Sequence, residues 1–422
     1  MPNLGTLIER NFQEAHTNLL RRVGEMAERG DCGATDAYLV GGPVRDLILG
    51  RKCTDLDLVV VGDGPEFASA LADIENVSYS GTSEFQTAKL IAFGTTIDVA
   101  TARTEIYSEP GALPKIESSG VKEDLRRRDF TVNAMAVALT AKDWGHLFDN
   151  HGGLEDVTSR RLRILHDASF RDDPTRILRA LRYEAKLGFQ IEDKTLSLID
   201  RDSHWLRGLS PTRTLTELYN VLDQRQRSVI LARANDLGIL ASIDPALRIS
   251  KSVLDAMGDE THIDSDQAMA LITFELTPSE ADSLVQRLSP TKNLAKTMTS
   301  GPRLRQIMPV LDRKDLTNSE IVSTLVQFPE ATLLAAKILC PHTLRHKRLC
   351  DYLNRLQFIA PECTGDDLLE EGVPQGPLVG LLLNELKQAR LDGTVLSRGD
   401  ELGLVANRIP ILTARVARPN IT

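Results

Sequence analysis

Residues 38–64, YLVGGPVRDLILGRKCTDLDLVVVGDG, restrict the fold more than any other stretch. Asp55 and Asp57 stand two apart inside an apolar run, shortly after a glycine pair and an arginine. Successive side chains of a β-strand alternate faces, so both carboxylates project to one side. Carboxylates facing a core repel each other and are costly unless a cation sits with them. The segment therefore demands a strand with one apolar face and one face opening into a charged site.

The neighbouring sequence fits such a site. Asp98, in TIDVAT, lies on another strand-like run and is the expected third carboxylate of the cluster. Hard oxygen ligands of this kind suit Mg²⁺, which binds substrate phosphates through one or two carboxylates. Two such ions about 4 Å apart would activate an attacking hydroxyl and stabilise a leaving pyrophosphate. Gly41 and Gly42 permit close backbone approach to phosphate, and Arg45 supplies a cationic fork. No GxxxxGK[ST] occurs, and GGPVRD is not GxGxxG. Farther along, EDLRRRDFTVNAMAVAL places Arg126, Arg127, Arg128 and Asp129 before a strand-like run containing Asn133. Arg128 is the expected triphosphate ligand, and Asp129 and Asn133 are polar groups within reach of a ribose.

The chain has 422 residues and a net charge of −9, so no bulk basic field announces a nucleic-acid partner, although a local basic strip would suffice for RNA. Five scattered cysteines form no CxxC pair and no zinc spacing, which fits reduced cytosolic thiols. The N-terminal thirty residues read as amphipathic helix, not as a leader, and no apolar run is long enough to cross a bilayer. The expectation is a cytoplasmic protein with no membrane partner.

Strand signals concentrate early, in AYLVGG, DLDLVVVG, TAKLIAFGTTIDVAT and VNAMAVAL, with helical patterns such as VRDLILG and PEFASALAD among them. After about residue 150 helical periodicity dominates, as in DPTRILRALRYEAKLGF, TRTLTELYNVLDQ and RQRSVILARANDLGIL. The fold class expected is α+β: a mixed-sheet head over 1–150, then helical segments over 151–225, 226–300 and 301–422. Between IDVATAR and RRDFT, residues 104–122 read as a long loop rich in Pro and Gly. On a helix, Arg176, Arg179 and Arg182 would form a slowly drifting basic strip, with Asp172 and Asp173 as possible acid partners.

GGPVRD, DLDL and RRDFTVNA, in this order, resemble the class II tRNA nucleotidyltransferases and bacterial poly(A) polymerases of the DNA polymerase β superfamily. The resemblance implies that Gly42 and Arg45 contact nucleotide, that Asp55 and Asp57 hold metal, and that Arg128 binds triphosphate. It continues in DDPTRILRALR: the family's [ED]DxxR pairs a carboxylate and an arginine with the incoming base, and Asp173 and Arg176 fall on that pattern. Arg179 and Arg182 fall on further positions implied to bind nucleotide. Asp172 stands where the common spelling has Glu. The family's flexible loop, needed for the terminal A, corresponds to 104–122. LFDNHGGLEDVT resembles a head–neck hinge through Asp149, Gly153 and Asp156, and LSPTRTLTELYNVL a bracing motif through Ser210, Arg213 and Glu217, both read as structural. The tail implies less: Arg345, His346, Lys347 and Arg348 are candidate acceptor-stem contacts, and Gly376-Pro377 an expected helix start.

The implied function is template-independent addition and repair of the 3′-CCA of tRNA from CTP and ATP with Mg²⁺. Partial A-only or CC-only addition and poly(A) synthesis are the nearest alternatives, although the LxGRRF-type signature of poly(A) polymerases has no counterpart in YSGTSEFQTAKLIAFG. An inactive RNA-binding protein is the alternative of a different class, and intact Asp55, Asp57 and Arg128 weigh against it. No protein partner follows from the sequence.

Overall fold

The computed structural model describes residues 3–416 apart from 31, 54, 75, 84, 85, 260 and 261. The end of the expected tail, 417–422, and residues 84 and 85 of YSGTSEFQT thus lie outside the described residues. Contacts divide the chain into Met1–Pro245 and Ala246–Thr422.

The first unit opens with α1 (Gly5–Asn11) and α2 (Glu14–Arg29). Then come β1 (Ala34–Val40), α3 (Gly42–Ile48), β2 (Asp55–Gly62), α4 (Gly64–Ala72), β3 (Val77–Thr82), β4 (Thr87–Ala92) and β5 (Thr95–Thr101). A ribbon, β6 (Arg103–Ile106) with β7 (Lys115–Ser118), precedes α5 (Val121–Arg126), β8 (Ala136–Ala138) and β9 (Leu147–Phe148). The main sheet runs β3-β4-β5-β2-β1-β8-β9, with β2 and β5 parallel and the other pairs antiparallel. A mixed-sheet head followed by helices is the α+β architecture expected.

Alternation along β2 decides where charge can sit. Leu56, Leu58 and Val60 are buried on one face, while Asp55 and Asp57 open the other. Farther along that second face Val59 is covered by Val121 and Leu125 of α5. Burying each of those two side chains contributes on the order of 1.5–3 kcal/mol. The aspartates occupy the uncovered end.

Helices follow: α6 (Gly153–Thr158), α7 (Ser169–Asp172), α8 (Thr175–Leu187), α9 (Asp193–Asp202), α10 (Pro211–Leu222), α11 (Arg227–Asp236) and α12 (Ile239–Ile243). Helix α8 buries Ile177, Leu178 and Leu181 and ends at Gly188 in the left-handed conformation, φ 68°. Asp149 accepts from the Gly153 and Leu154 amides, and Asp156, fully buried, accepts from Thr131 and pairs with Arg163. Asp149 and Asp156, placed by the resemblance in a head–neck hinge, are thus engaged in contacts within the chain.

Three local readings need correction. Residues 104–122 are not wholly irregular: Arg103–Ile106 and Lys115–Ser118 pair as an antiparallel ribbon, in which Thr104 faces Glu117 and Ile106 faces Lys115. Pro110, Gly111 and Pro114 sit in its turn, and the short alternation on either side was masked by them. Strand β3 carried no clear signal, because VSYSGT is a sheet edge exposed at most positions. VNAMAVAL is only partly strand; Thr131–Asn133 coil into a 3₁₀ turn before β8.

The second unit is helical wherever it has regular structure, from Lys251–Asp259 to Arg398–Val416. Ser265–Phe274 packs centrally against Lys292–Ile307 and Glu330–Leu339. Helix Pro377–Leu391 starts at Gly376-Pro377, burying Leu382 and exposing Leu381. The basic run 345–348 is largely committed within the unit. Arg345 forks onto Asp312 at 2.5–2.9 Å, Arg348 donates to the Leu311 carbonyl at 2.6 Å, and the His346 ring meets the Lys337 carbonyl. No single helix among the described residues is long and apolar enough to cross a membrane.

Candidate active site

The parallel β2–β5 register sets Asp57 directly beside Asp98 and Asp55 beside Thr96. Asp57 is half-buried and accepts no hydrogen bond among the described residues. Burial drives its carboxyl up to about 6; Arg128 opposes the shift, and Asp98 and Asp55 add to it. Asp98 instead has a cation of its own: Lys89, its cross-strand partner on β4, reaches both oxygens at 3.0 and 3.1 Å. Among the described residues no three His, Cys, Asp or Glu side chains converge closely enough to hold a metal ion. The expected three-carboxylate cluster is therefore not assembled, because Lys89 engages the third member. The donor set still fits a hard divalent cation: adjacent carboxylates on one sheet face, one of them pushed up by burial and by like charge. Burial pushes the nearby Cys53 thiol up to about 11.

Two cavities meet at Asp57. The first, about 370 Å³, is lined by Gly41, Gly42, Asp57, Arg127, Arg128, Asp129, Asn133, Asp173, Arg176, Arg179, Tyr183 and Glu217. Gly41 requires its lack of a side chain here: φ is +70°, and a Cβ would stand 2.8 Å from Arg128 Nη1. The second cavity, about 460 Å³, is lined by Gly42, Arg45, Asp46, Asp55, Asp57, Lys89, Asp98, Tyr183 and Lys186 among others.

Asp124, which sequence reasoning passed over, organises the arginines of the first cavity. Fully buried on α5, it accepts from Arg127 Nη2 at 2.7 Å and Arg128 Nη2 at 3.0 Å. Burial would raise its carboxyl, but the two guanidiniums hold it below the usual range. Its spacing of three and four residues before Arg127 and Arg128 was the available signal.

Asp129 and Asn133, expected near a ribose, are spent on protein contacts. Asp129 Oδ1 accepts from the Phe130 amide and Asn133 Nδ2, and Oδ2 from Arg179 Nε and Nη2. All four of its lone-pair positions are thus used. Burial works against the charge, yet Arg179 and Asn133 hold the carboxyl down to about 2. Asn133 Oδ1 in turn accepts from Arg45 Nη1 at 2.5 Å, while Arg45 Nε and Nη2 bind Asp46 at 2.9 and 3.0 Å. Arg45, expected on nucleotide, is buried in this web and borders the second cavity, not the first.

On α8, Arg176 and Arg179 reach the first cavity but Arg182 does not; it pairs with Glu217 at 3.2 Å. Three-residue spacing turns each arginine about 60° from the last, which carries Arg182 out of the row. Asp173 Oδ1 is fixed by the Thr175 amide, the Thr175 hydroxyl and Arg213 Nη2. Its Oδ2 has no partner among the described residues. Arg176 is anchored on Ser169 Oγ at 2.7 Å and the Arg127 carbonyl at 2.6 Å. Asp172 lies apart, 3.8 Å from His166. Arg213, read as a brace, also donates to the carbonyl of Gly111 in the ribbon turn at 2.7 Å.

Residues 37–163 match the poly(A) polymerase head domain family. An A-adding tRNA nucleotidyltransferase of Halalkalibacterium halodurans is 31% identical, over 95% of this chain and 94% of that protein. Another, of Geobacter sulfurreducens, is 32% identical over 94% of this chain, which spans 47% of that protein. Among solved structures, a CCA-adding enzyme in an apo form superposes with a TM-score of 0.80 at 27% identity, covering 98% of this chain and 99% of that one. The Thermotoga maritima CCA-adding enzyme complexed with tRNA gives 0.73 at 26% identity, over 96% and 98%. Dependence on a divalent metal goes with such a head in general. With the head matched and a relative aligned across almost the entire length, the chain belongs to the class II tRNA nucleotidyltransferase family.

Proposed function

We propose that this protein builds and repairs the 3′-CCA end of tRNA, transferring nucleotides from CTP and ATP to the terminal hydroxyl with release of pyrophosphate. The observation that carries the reading is Asp173 with one open oxygen, beside the buried Arg176, in the cavity that holds Gly41, Gly42, Arg128 and the rim of Asp57. Cytosine and adenine each present an amino donor next to a ring-nitrogen acceptor. Asp173 Oδ2 takes the first and Arg176 serves the second. Uracil and guanine present a keto oxygen and an N–H at those places. The mismatch leaves buried groups unpaired at a cost of about 1–3 kcal/mol each.

Asp55 and Asp57 are the residues that would hold Mg²⁺, with Asp98 available once Lys89 releases it. When bound, the metal would lower the pKa of the RNA hydroxyl and neutralise charge on the phosphates. The protein's own groups do the positioning. The Gly41-Gly42 backbone and Arg128 receive the triphosphate, Asp124 aims Arg128, and Asp129 aims Arg179 across the cavity. Binding of tRNA rests on shape, phosphates and 2′-hydroxyls. The segments 1–150, 151–225, 226–300 and 301–422 serve as catalytic head, base-selecting neck, body and tRNA-binding tail. The protein works in the cytoplasm, among its tRNA and nucleotide substrates.

A second reading, addition of the terminal A alone, is favoured by the names of the two relatives above. Incorporation on transcripts ending before CCA, after C and after CC, with CTP, ATP or both, separates the readings. Products that stop at CCA on all three are expected. Extension of the CC-ended transcript only would establish the A-adding activity, and long A tails on arbitrary RNA would overturn both.

A further inference from the structure

We propose that the second cavity is the acceptor lobe: it seats the 3′-terminal nucleotide of the RNA being extended, and Lys186 holds that nucleotide's phosphate. This rests on the nucleotidyl-transfer reading and goes beyond it by naming where the RNA end lies. The two cavities share only Gly42, Asp57 and Tyr183. The first contains the groups that suit a triphosphate and a base. Transfer is in line: the RNA 3′-oxygen bonds the α-phosphorus, the bridging oxygen leaves with pyrophosphate, and the hydroxyl proton passes to water. Attack therefore comes from the side of Asp57 away from the triphosphate, and that side is the second cavity. Its volume, about 460 Å³, is within the range of sites that enclose a small ligand.

Charge is the difficulty, since Asp46, Asp55, Asp57 and Asp98 all border this lobe and an RNA end is anionic. Asp46 is neutralised by Arg45, and Asp98 by Lys89. Asp55 and Asp57 are the metal-holding pair. Lys186 is the remaining cation of the lining: exposed, with no partner among the described residues. It stands in the last turn of α8, where a cation is favoured by the helix dipole. Seven residues separate it from Arg179, about 10 Å along the axis, so one helix serves both lobes. Tyr183 divides them. Its ring lies edge-on to Phe130 at 5.7 Å, with the Arg45 and Arg179 guanidiniums 5.5 and 5.7 Å from its centroid.

The test compares the wild-type full chain with Lys186→Glu, Lys186→Met and Lys186→Arg on a CC-ended tRNA. Lys186→Glu should raise KM for RNA about tenfold while KM for ATP stays unchanged. Lys186→Met should flatten the dependence of log affinity for RNA on log salt by about one phosphate contact, and Lys186→Arg should restore both readouts. An unchanged RNA KM and salt slope, or a rise in ATP KM instead, overturns the acceptor lobe and leaves the transfer reading intact. A wild-type protein that binds tRNA but incorporates nothing overturns the transfer reading, and the lobe with it.

Discussion

Asp124 and Asp129 are buried more deeply than Asp57, yet it is Asp57 whose carboxyl is driven upward. The difference lies in who stands opposite. Each of the deep carboxylates faces guanidiniums that outweigh its desolvation: Arg127 and Arg128 for Asp124, Arg179 for Asp129. For Asp57 burial comes first, Asp98 and Asp55 on the same sheet face add to it, and Arg128 and Lys89 offset the rise only in part. Saturated carboxylates hold Arg127, Arg128 and Arg179 in place, and the under-satisfied one is the proposed metal ligand.

Replacing Asp57 breaks that comparison most forcefully. If Asp57 holds the metal as proposed, Asp57→Asn should lower kcat by about 10³-fold or more, since such a ligand supplies several kcal/mol in the transition state. Its effect on the metal-free fold should have the opposite sign. A carboxyl raised to about 6 binds its proton more tightly in the folded than in the unfolded chain. The resulting penalty is absent below about pH 4 and complete above about pH 6. Asn removes it, so thermal unfolding at pH 7 should show an unchanged or higher midpoint. A lower midpoint would make Asp57 a structural residue like Asp129.

Asp129→Ala is the converse. Removing the buried carboxylate leaves the partly exposed Arg179 and the buried Asn133 amide without their acceptor and should cost about 1–3 kcal/mol, read from denaturant unfolding. Here the folded carboxyl lies near 2, below its unfolded value. The stabilisation is therefore fully present above about pH 4 and is lost as pH falls toward 2. Asp129→Asn should flatten that acid limb. An acid limb as steep as wild type would show that the pair with Arg179 does not hold the cavity wall.

Between Arg45 and Asn133 the expected coupling is smaller. Arg45→Lys keeps the charge but not the fork, and Asn133→Ala removes its acceptor. A double-mutant cycle on stability should give about 0.5–3 kcal/mol of interaction. Additive single effects would return Arg45 to the role the family resemblance implies, direct contact with nucleotide.

These residues also mark where sequence stopped informing. Glycine pair, DxD and RRD announce themselves because their types are costly in an ordinary strand or helix. The division between residues that touch ligand and residues that hold them is set by rotamers and helix phase. Arg176 and Arg182 look equivalent in sequence, yet one faces the cavity and the other meets Glu217. Lys89 was invisible for a different reason: its partner is fixed by cross-strand register, which no local pattern in TAKLIA encodes. The ribbon over 103–118 was hidden by the Pro and Gly of its own turn.

The ribbon supplies the gentlest test. Arg213 sends one nitrogen to the Gly111 carbonyl in the ribbon turn and another to Asp173 Oδ1, so the turn and the proposed base-selecting carboxylate share a single guanidinium. Lysine has one compact ammonium and cannot reach both acceptors as a fork does. Because Thr175 still supplies two hydrogen bonds to Asp173, loss of Arg213 should loosen the carboxylate without freeing it. Arg213→Met and Arg213→Lys should both lower the kcat/KM ratio of correct to incorrect nucleotide by about tenfold, a change of about 1.4 kcal/mol. Unfolding midpoints should move little, since the side chain is only partly buried. A selectivity that survives both substitutions would mean that the Thr175 bonds alone orient Asp173, and that the ribbon docks on the neck without acting on base choice.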